Sequence, residues 1–235
     1  MQRYFSVLQD TSGNPITTAT LNVYLANTTT AATIYSDNGS TTKSNPMLTD
    51  ATDGTYEFWA ANGVYDLVFT KTGYTFTDAD TADVQLFDPC EDVNTTSVAN
   101  TDAGEDNLMT YSLPANSMFL NDHVVRIHAW GTTAANGNNK TIKLYFGTSQ
   151  LISSGVLTIS NKDWEIKGVV VRTAAATQEA TATFWDSTPT TVGPDRTTPS
   201  ETLSSAVTIK CTGEGVATND IVQRGMIVEV LNASG

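Results

Sequence analysis

Thr49–Tyr74, TDATDGTYEFWAANGVYDLVFTKTGY, decides the fold. A glycine-bearing turn at Asp53-Gly54 leads into alternating Tyr56 and Phe58. A second turn, Asn62-Gly63, leads into Tyr65, Leu67 and Phe69, and Gly73-Tyr74 closes the run. Asp-Gly and Asn-Gly between alternating apolar runs are strong short-range hairpin signals, because both central residues of a type I′ turn take positive φ. The stretch therefore predicts a β-meander, with consecutive strands paired through these turns. Phe58 and Trp59 are adjacent, so they point to opposite sides of their strand: one belongs to a core and the other faces outward.

The same grammar extends along the chain. Before the meander, strands are expected over Tyr4–Gln9, Thr20–Leu25 and Thr33–Ser36; within and after it, over Gly54–Trp59, Val64–Lys71 and Asp83–Phe87. Residues 88–106, DPCEDVNTTSVANTDAGED, are polar, acidic and without period, and read as a linker. A second set follows: Leu108–Leu113, Val124–Trp130, Thr141–Phe146, Gly155–Ile159, Trp164–Arg172, Ala180–Trp185, Ala206–Lys210 and Met226–Leu231. The Ala- and Thr-rich Val171–Ala182 lacks a 3.6-residue apolar stripe and reads as strand–loop–strand rather than helix. Asp186–Ser200, DSTPTTVGPDRTTPS, reads as a long projecting loop. The expected architecture is all-β, with two β-sandwich domains: an Ig-like or prealbumin-like one over 1–87, the acidic linker 88–106, and a jelly-roll-like one over 107–235.

Composition narrows the function classes. Charged residues make up only 16% of the 235 positions, whereas threonine fills forty, suiting strand faces covered with hydroxyls. A formal net charge of −13 opposes binding to nucleic acid or to an anionic membrane surface. The opening Met1-Gln-Arg-Tyr-Phe-Ser shows no apolar signal region, so synthesis in a cytoplasm is expected, with any export by lysis or an unconventional route. Cys90 and Cys211 are far apart and lack metal-site spacing; they are expected as two buried thiols rather than a disulfide.

Candidate chemistry is sparse. His123 and His128, five residues apart, point to opposite faces of a strand and cannot share a metal from it. Asp78, Asp80 and Asp83 offer oxygen ligands at close spacing, but the calcium-loop pattern of central glycine and terminal glutamate is missing, so they read as a solvated loop. Asn136–Lys140 reads as a polar hairpin turn. No nucleophile–base arrangement, phosphate cradle or acid–base pair is recognisable, so no enzyme, cofactor or metal is expected. Trp59, Trp130, Trp164 and Trp185 could stack on sugar faces where exposed. Of these, Trp185, beside the long loop, and Trp59 are the candidate contacts for a sugar or a partner.

Two resemblances accompany this reading. Val7, Asp10, Gly13, Pro15-Ile16, Ala19, Leu21 and Val23, then Thr49-Asp50, Gly54, Tyr56, Phe58, Gly63, Tyr65, Leu67 and Gly73-Tyr74, resemble the carboxypeptidase-regulatory-like, prealbumin-like Ig sandwich over about residues 1–87. The insert Ile34–Ser40 with Ser44-Asn45-Pro46 resembles the version carried by tailed-phage fibre and appendage proteins. Leu108-Met109, Tyr111, Leu113–Asn116, Arg126-Ile127, Ala129, Gly131-Thr132, Ala134–Thr141, Leu144 and Phe146-Gly147 are similar to a β-sandwich segment of phage particle proteins, over roughly 105–235. The resemblances imply a virion protein, head fibre, decoration or tail-fibre in kind. They also imply homotrimeric assembly, other virion proteins as partners, host-surface glycan as a further one, and no catalytic residue. The alternative is a free secreted adhesin or carbohydrate-binding module.

Overall fold

Alternation of more and less buried residues runs through Thr20–Leu25, Thr55–Ala60, Val124–Thr133 and Thr177–Asp186 of the computed structural model, which describes residues 1–26, 28–38, 41–76, 84–86, 90–188 and 191–231. No helix occurs among them. The chain is all-β and forms two compact units, Met1–Asp88 and Pro89–Gly235, each built as a β-sandwich.

The first unit contains β1 (Gln2–Val7), β2 (Thr20–Leu25), β3 (Ile34–Tyr35), β4 (Thr42–Lys43), β5 (Met47–Leu48), β6 (Thr55–Ala60), β7 (Gly63–Thr70) and β8 (Val84–Leu86). They form two four-stranded sheets, in the orders β1-β6-β3-β4 and β5-β2-β7-β8, with antiparallel pairings. The meander expected from Thr49–Tyr74 is therefore not formed. β6 pairs with β1 and β3 in one sheet, and β7 pairs with β2 and β8 in the other. Both glycine turns carry the chain from sheet to sheet. The reason lies in the core: Tyr56, Phe58 and Ala60 of β6 and Tyr65 and Leu67 of β7 bury their side chains in one cluster, which requires the two strands to face each other across it. Burying a side chain such as Phe58 contributes about 1.5–3 kcal/mol, and each strand keeps its backbone pairing with other partners in its own sheet.

The corners are fastened locally. Tyr65 donates its hydroxyl to the Ala61 carbonyl at 2.8 Å, and burial pushes that phenol up to about 12. Gly54 takes φ +69°, and a Cβ there would stand 3.0 Å from the carbonyl oxygens of both Leu8 and Ile16. Asn45 bonds like a piece of strand: its side chain accepts from Val23 N at 3.0 Å and donates to the carbonyls of Val23 and Ala32 at 2.7 and 2.8 Å.

The second unit contains β9 (Cys90–Asn94), β10 (Val98–Ala99), β11 (Glu105–Leu113), β12 (Val124–Thr133), β13 (Thr141–Phe146), β14 (Ser149–Ser153), β15 (Asp163–Ala174), β16 (Thr177–Asp186), β17 (Thr191–Thr197), β18 (Val207–Glu214) and β19 (Ile221–Leu231). A wide sheet runs β10-β19-β12-β15-β16-β17, with β9 also pairing to β19. A narrower one runs β11-β18-β13-β14. Between them lie Ile127, Leu144, Phe146, Leu151, Trp164, Ile166, Phe184, Ile209 and Val228, all buried.

Four expectations change here. The acidic stretch 88–106 is not a free linker, because β9 and β10 both pair with the outer edge of β19 and Glu105 already begins β11. The edge of β19 is thereby covered, and the acidic Glu91 and Asp92 of β9 discourage further pairing there. Asp186–Ser200 is not a projecting loop, since Thr191–Thr197 adds an edge strand to β16. The strand expected over Gly155–Ile159 is replaced by Ser149–Ser153, folded back on β13 at Gly147. Gly147 takes φ +60°, and a Cβ there would strike the Glu201 carboxyl at 2.1 Å. Finally, Cys90 is exposed on β9, whereas Cys211 is fully buried in β18 and its thiol is pushed up by that burial. The two are not bonded to each other.

The polar turn expected over Asn136–Lys140 is built around a buried lysine. Lys140 is fully buried and donates to Asn136 Oδ1 at 2.8 Å and to the Asn138 carbonyl at 2.9 Å. Asp220 accepts from the side chains of Asn136 (2.7 Å) and Asn138 (3.0 Å) and from the amides of Val216 (2.9 Å) and Ala217 (2.8 Å). Burial alone would push the Asp220 carboxyl up; these donors outweigh it and hold it at about 2. Burial in turn lowers the Lys140 ammonium, and Asp220 partly restores it. Asn100, likewise buried, receives Ile221 N at 2.8 Å and donates to the Ala217 carbonyl at 2.9 Å. Three loops are thus tied into one polar knot.

Candidate functional site: an aromatic groove on the wide sheet

The outward face of the wide sheet gathers the chemistry that the sequence scatters. Val125, Ile127 and Ala129 of β12 are buried, so Arg126, His128, Trp130 and Thr132 point outward. Strand register then sets Gly225, Trp130, Glu165, Trp185 and Thr191 side by side in one row across β19, β12, β15, β16 and β17. The adjoining row carries Ile227, His128, Lys167 and Thr183.

A β-bulge organises the row. Pairing between β12 and β19 shifts between Trp130 and Gly131, from Gly225 to Gln223, and leaves Arg224 as the extra residue. Two glycines flank this irregularity and seat two indoles on opposite faces. A Cβ on Gly225 would stand 2.1 Å from Cζ2 of Trp130, so that indole lies across the backbone of β19. A Cβ on Gly131 would stand 2.6 Å from Cζ2 of Trp164, which is packed into the core and donates to the Thr132 carbonyl at 3.4 Å. Gln223, fully buried, accepts from Met109 N at 3.0 Å and so fixes the bulge to the second sheet.

Around Trp130 the groove is partly charged. The His128 ring lies 5.0 Å from the Trp130 ring, tilted by 49°. His128 Nε2 is 3.6 Å from Glu165 Oε1, and the same oxygen is paired with Lys167 Nζ. That ammonium also stands 5.4 Å from the centre of the Trp185 ring. Arg224 borders the groove on the β19 side, donating to Ser97 Oγ at 3.3 Å. Asp163, Asp186 and Ser187 close the far end, where Ser187 N donates to the Asp163 carbonyl at 3.0 Å. The depression measures about 640 Å³, and a smaller one of about 300 Å³ continues past His128 toward Arg126, Val169 and Ile227.

The candidate contacts fall as follows. Trp185 is 36% exposed and belongs to this groove. Trp59 is half-buried on the outer face of β6, in register with Arg3 and Tyr35, and lies in the first unit. Its neighbour Phe58 is the core member of that pair. His123 is buried ahead of β12, away from the outward row of His128. Asp78, Asp80 and Asp83 lie outside the described residues. Among the described residues, no three or more His, Cys, Asp or Glu side chains gather as a metal site. Sequence reading did not single out Trp130, Glu165, Lys167 or Gly225 as one site. The alternation Arg126-x-His128-x-Trp130 was the available signal for its central strand.

No family model matches the chain, and no curated protein matches it. Among solved structures, it is similar to the structure of infectious bursal disease virus, Gt strain, at 11% identity and a TM-score of 0.31, over 100% of this chain and 57% of that one. It is also similar to a mutant VP2 protein of the same virus in derived T=1 particles, at 12% identity and a TM-score of 0.25, over 98% and 54%. The chain thus spans a little over half the length of each.

Proposed function

We propose that this chain is a structural protein of a tailed-bacteriophage particle, a surface fibre or appendage component of the head or the tail. It works by assembly with other virion proteins, as a homotrimer, and by contact with host-surface glycan, rather than by catalysis. The observation that carries the contact role is the row Trp130–Glu165–Trp185, which sets two outward indoles around a carboxylate on a rigid sheet. The particle setting is supported by the resemblance of residues 1–87 and 105–235 to phage particle modules. A free adhesin or carbohydrate-binding module would use the same groove and is separated by location alone.

Purified particles labelled with a gold-conjugated antibody to this chain test the setting under the electron microscope. Gold on heads makes it a capsid fibre or decoration protein, and gold on tails an attachment component. Particles without gold overturn the virion reading in favour of the free adhesin.

A further inference from the structure

We infer that the groove takes an uncharged oligosaccharide of at least two rings, laid across the strands from Trp130 to Trp185. The inference rests on the contact role proposed above and adds the chemistry of the ligand.

Ring number follows from register. Trp130 and Trp185 sit on β12 and β16, with β15 between them. Neighbouring strands are about 4.8 Å apart, which separates the two backbones by about 10 Å. One sugar ring covers one indole; reaching both takes a linked pair, with the linkage above Glu165. Trp130 is suited to such stacking because Gly225 lets its indole lie along the sheet instead of standing off it. An aromatic face offered this way meets the C–H face of a sugar ring, and no hydrogen-bond donor on the ligand is lost.

Charge selects against acidic sugars. Glu165 is paired with Lys167, whose ammonium also stands over the Trp185 ring, so a ligand carboxylate would have to compete with both contacts for that cation. Arg224 also lines the groove, against the carboxylates of Asp163 and Asp186. A chain of net charge −13 adds repulsion toward any polyanion. Carboxylates are hydrogen-bond acceptors, and hydroxyl groups of a neutral sugar are the donors that complement them.

The test is titration of the intact chain with neutral di- to hexasaccharides of hexose and N-acetylhexosamine, beside their sialylated and phosphorylated counterparts, followed by tryptophan fluorescence and calorimetry. Neutral disaccharides and longer chains are expected to bind, with single sugars at least about tenfold weaker. Trp130→Ala and Trp185→Ala are each expected to weaken binding about tenfold, the size of one lost aromatic contact. Trp130→Phe, which keeps a ring over Gly225, is expected to retain most of it, and Trp59→Ala all of it. Raising salt from about 50 to about 500 mM is expected to leave the affinity unchanged. Binding confined to acidic glycans, binding indifferent to both Trp130→Ala and Trp185→Ala, or no binding to any of the panel overturns the inference. The gold-labelling result stands or falls separately, because it needs no sugar.

Discussion

Trp59 and Trp130 are both outward tryptophans on a central strand of a sandwich, yet their surroundings differ. On β6, the residues around Trp59 are engaged with each other: Arg3 donates to both carboxylate oxygens of Glu57 at 2.9 and 2.8 Å and lies 5.5 Å from the Phe5 ring. The Glu57 carboxyl is held below its usual range by Arg3 first, with a smaller contribution from a hydrogen bond with Trp59 itself. On β12, the neighbour across the bulge is a glycine, the indole lies over it, and a second tryptophan stands in the same row. The two tryptophans thus differ in their rows: Trp59 is in register with Arg3 and Tyr35, whereas Trp130 shares its row with a glycine and a second indole.

One large expected effect tests how far the second unit depends on its polar knot. Asp220→Ala removes the acceptor of four N–H groups and should destabilise the second unit by about 3 kcal/mol, read from chemical denaturation. The sign of the acid response follows from the same residue. Its folded value of about 2 lies below the ordinary 3.8, so its contribution is present above that ordinary value. It is lost as pH falls from near 3.8 toward 2. A melting midpoint tracked down this range should therefore fall more steeply in the unaltered chain than in Asp220→Ala.

Phe58→Ala should cost the first unit about 3–5 kcal/mol by emptying the centre of its core, while oligosaccharide binding by the second unit persists. Loss of both would show that the two units are not independent. Gly225→Val drives a side chain into the Trp130 indole and is expected to abolish ligand binding at a cost of about 1–3 kcal/mol. A variant that keeps full affinity would remove the glycine from the account. At the small end, Glu57→Gln breaks an exposed pair and should change neither the melting midpoint nor ligand affinity measurably.

Much of the fold was legible because alternation reports burial directly. Period two placed Phe58 and Trp59 on opposite faces, and burial makes Phe58 the core member; Val171–Ala182 read as strand–loop–strand because it lacks a helical stripe, and it falls on the paired β15 and β16. Pairing partners were not legible. Asn62-Gly63 carries the local chemistry of a hairpin turn, and only the shared core shows that it crosses between sheets. β17 was hidden by Gly193 and Pro194, which read as loop residues, and Lys140 by the usual solvation of lysine. Trp185 was singled out by residue type, as an aromatic beside a long Pro- and Thr-rich stretch. The groove itself was not, because Trp130, Glu165, Trp185 and Gly225 meet only through strand register.

Competition for host-cell attachment tests the central claim most directly, with the purified chain added before the particles. The account predicts that the unaltered chain and Trp59→Ala both block adsorption, while a Trp130→Ala/Trp185→Ala double variant, folded by its melting curve, does not. A double variant that blocks as well as the unaltered chain, or a Trp59→Ala chain that no longer blocks, would contradict the placement of the contact surface on the wide sheet.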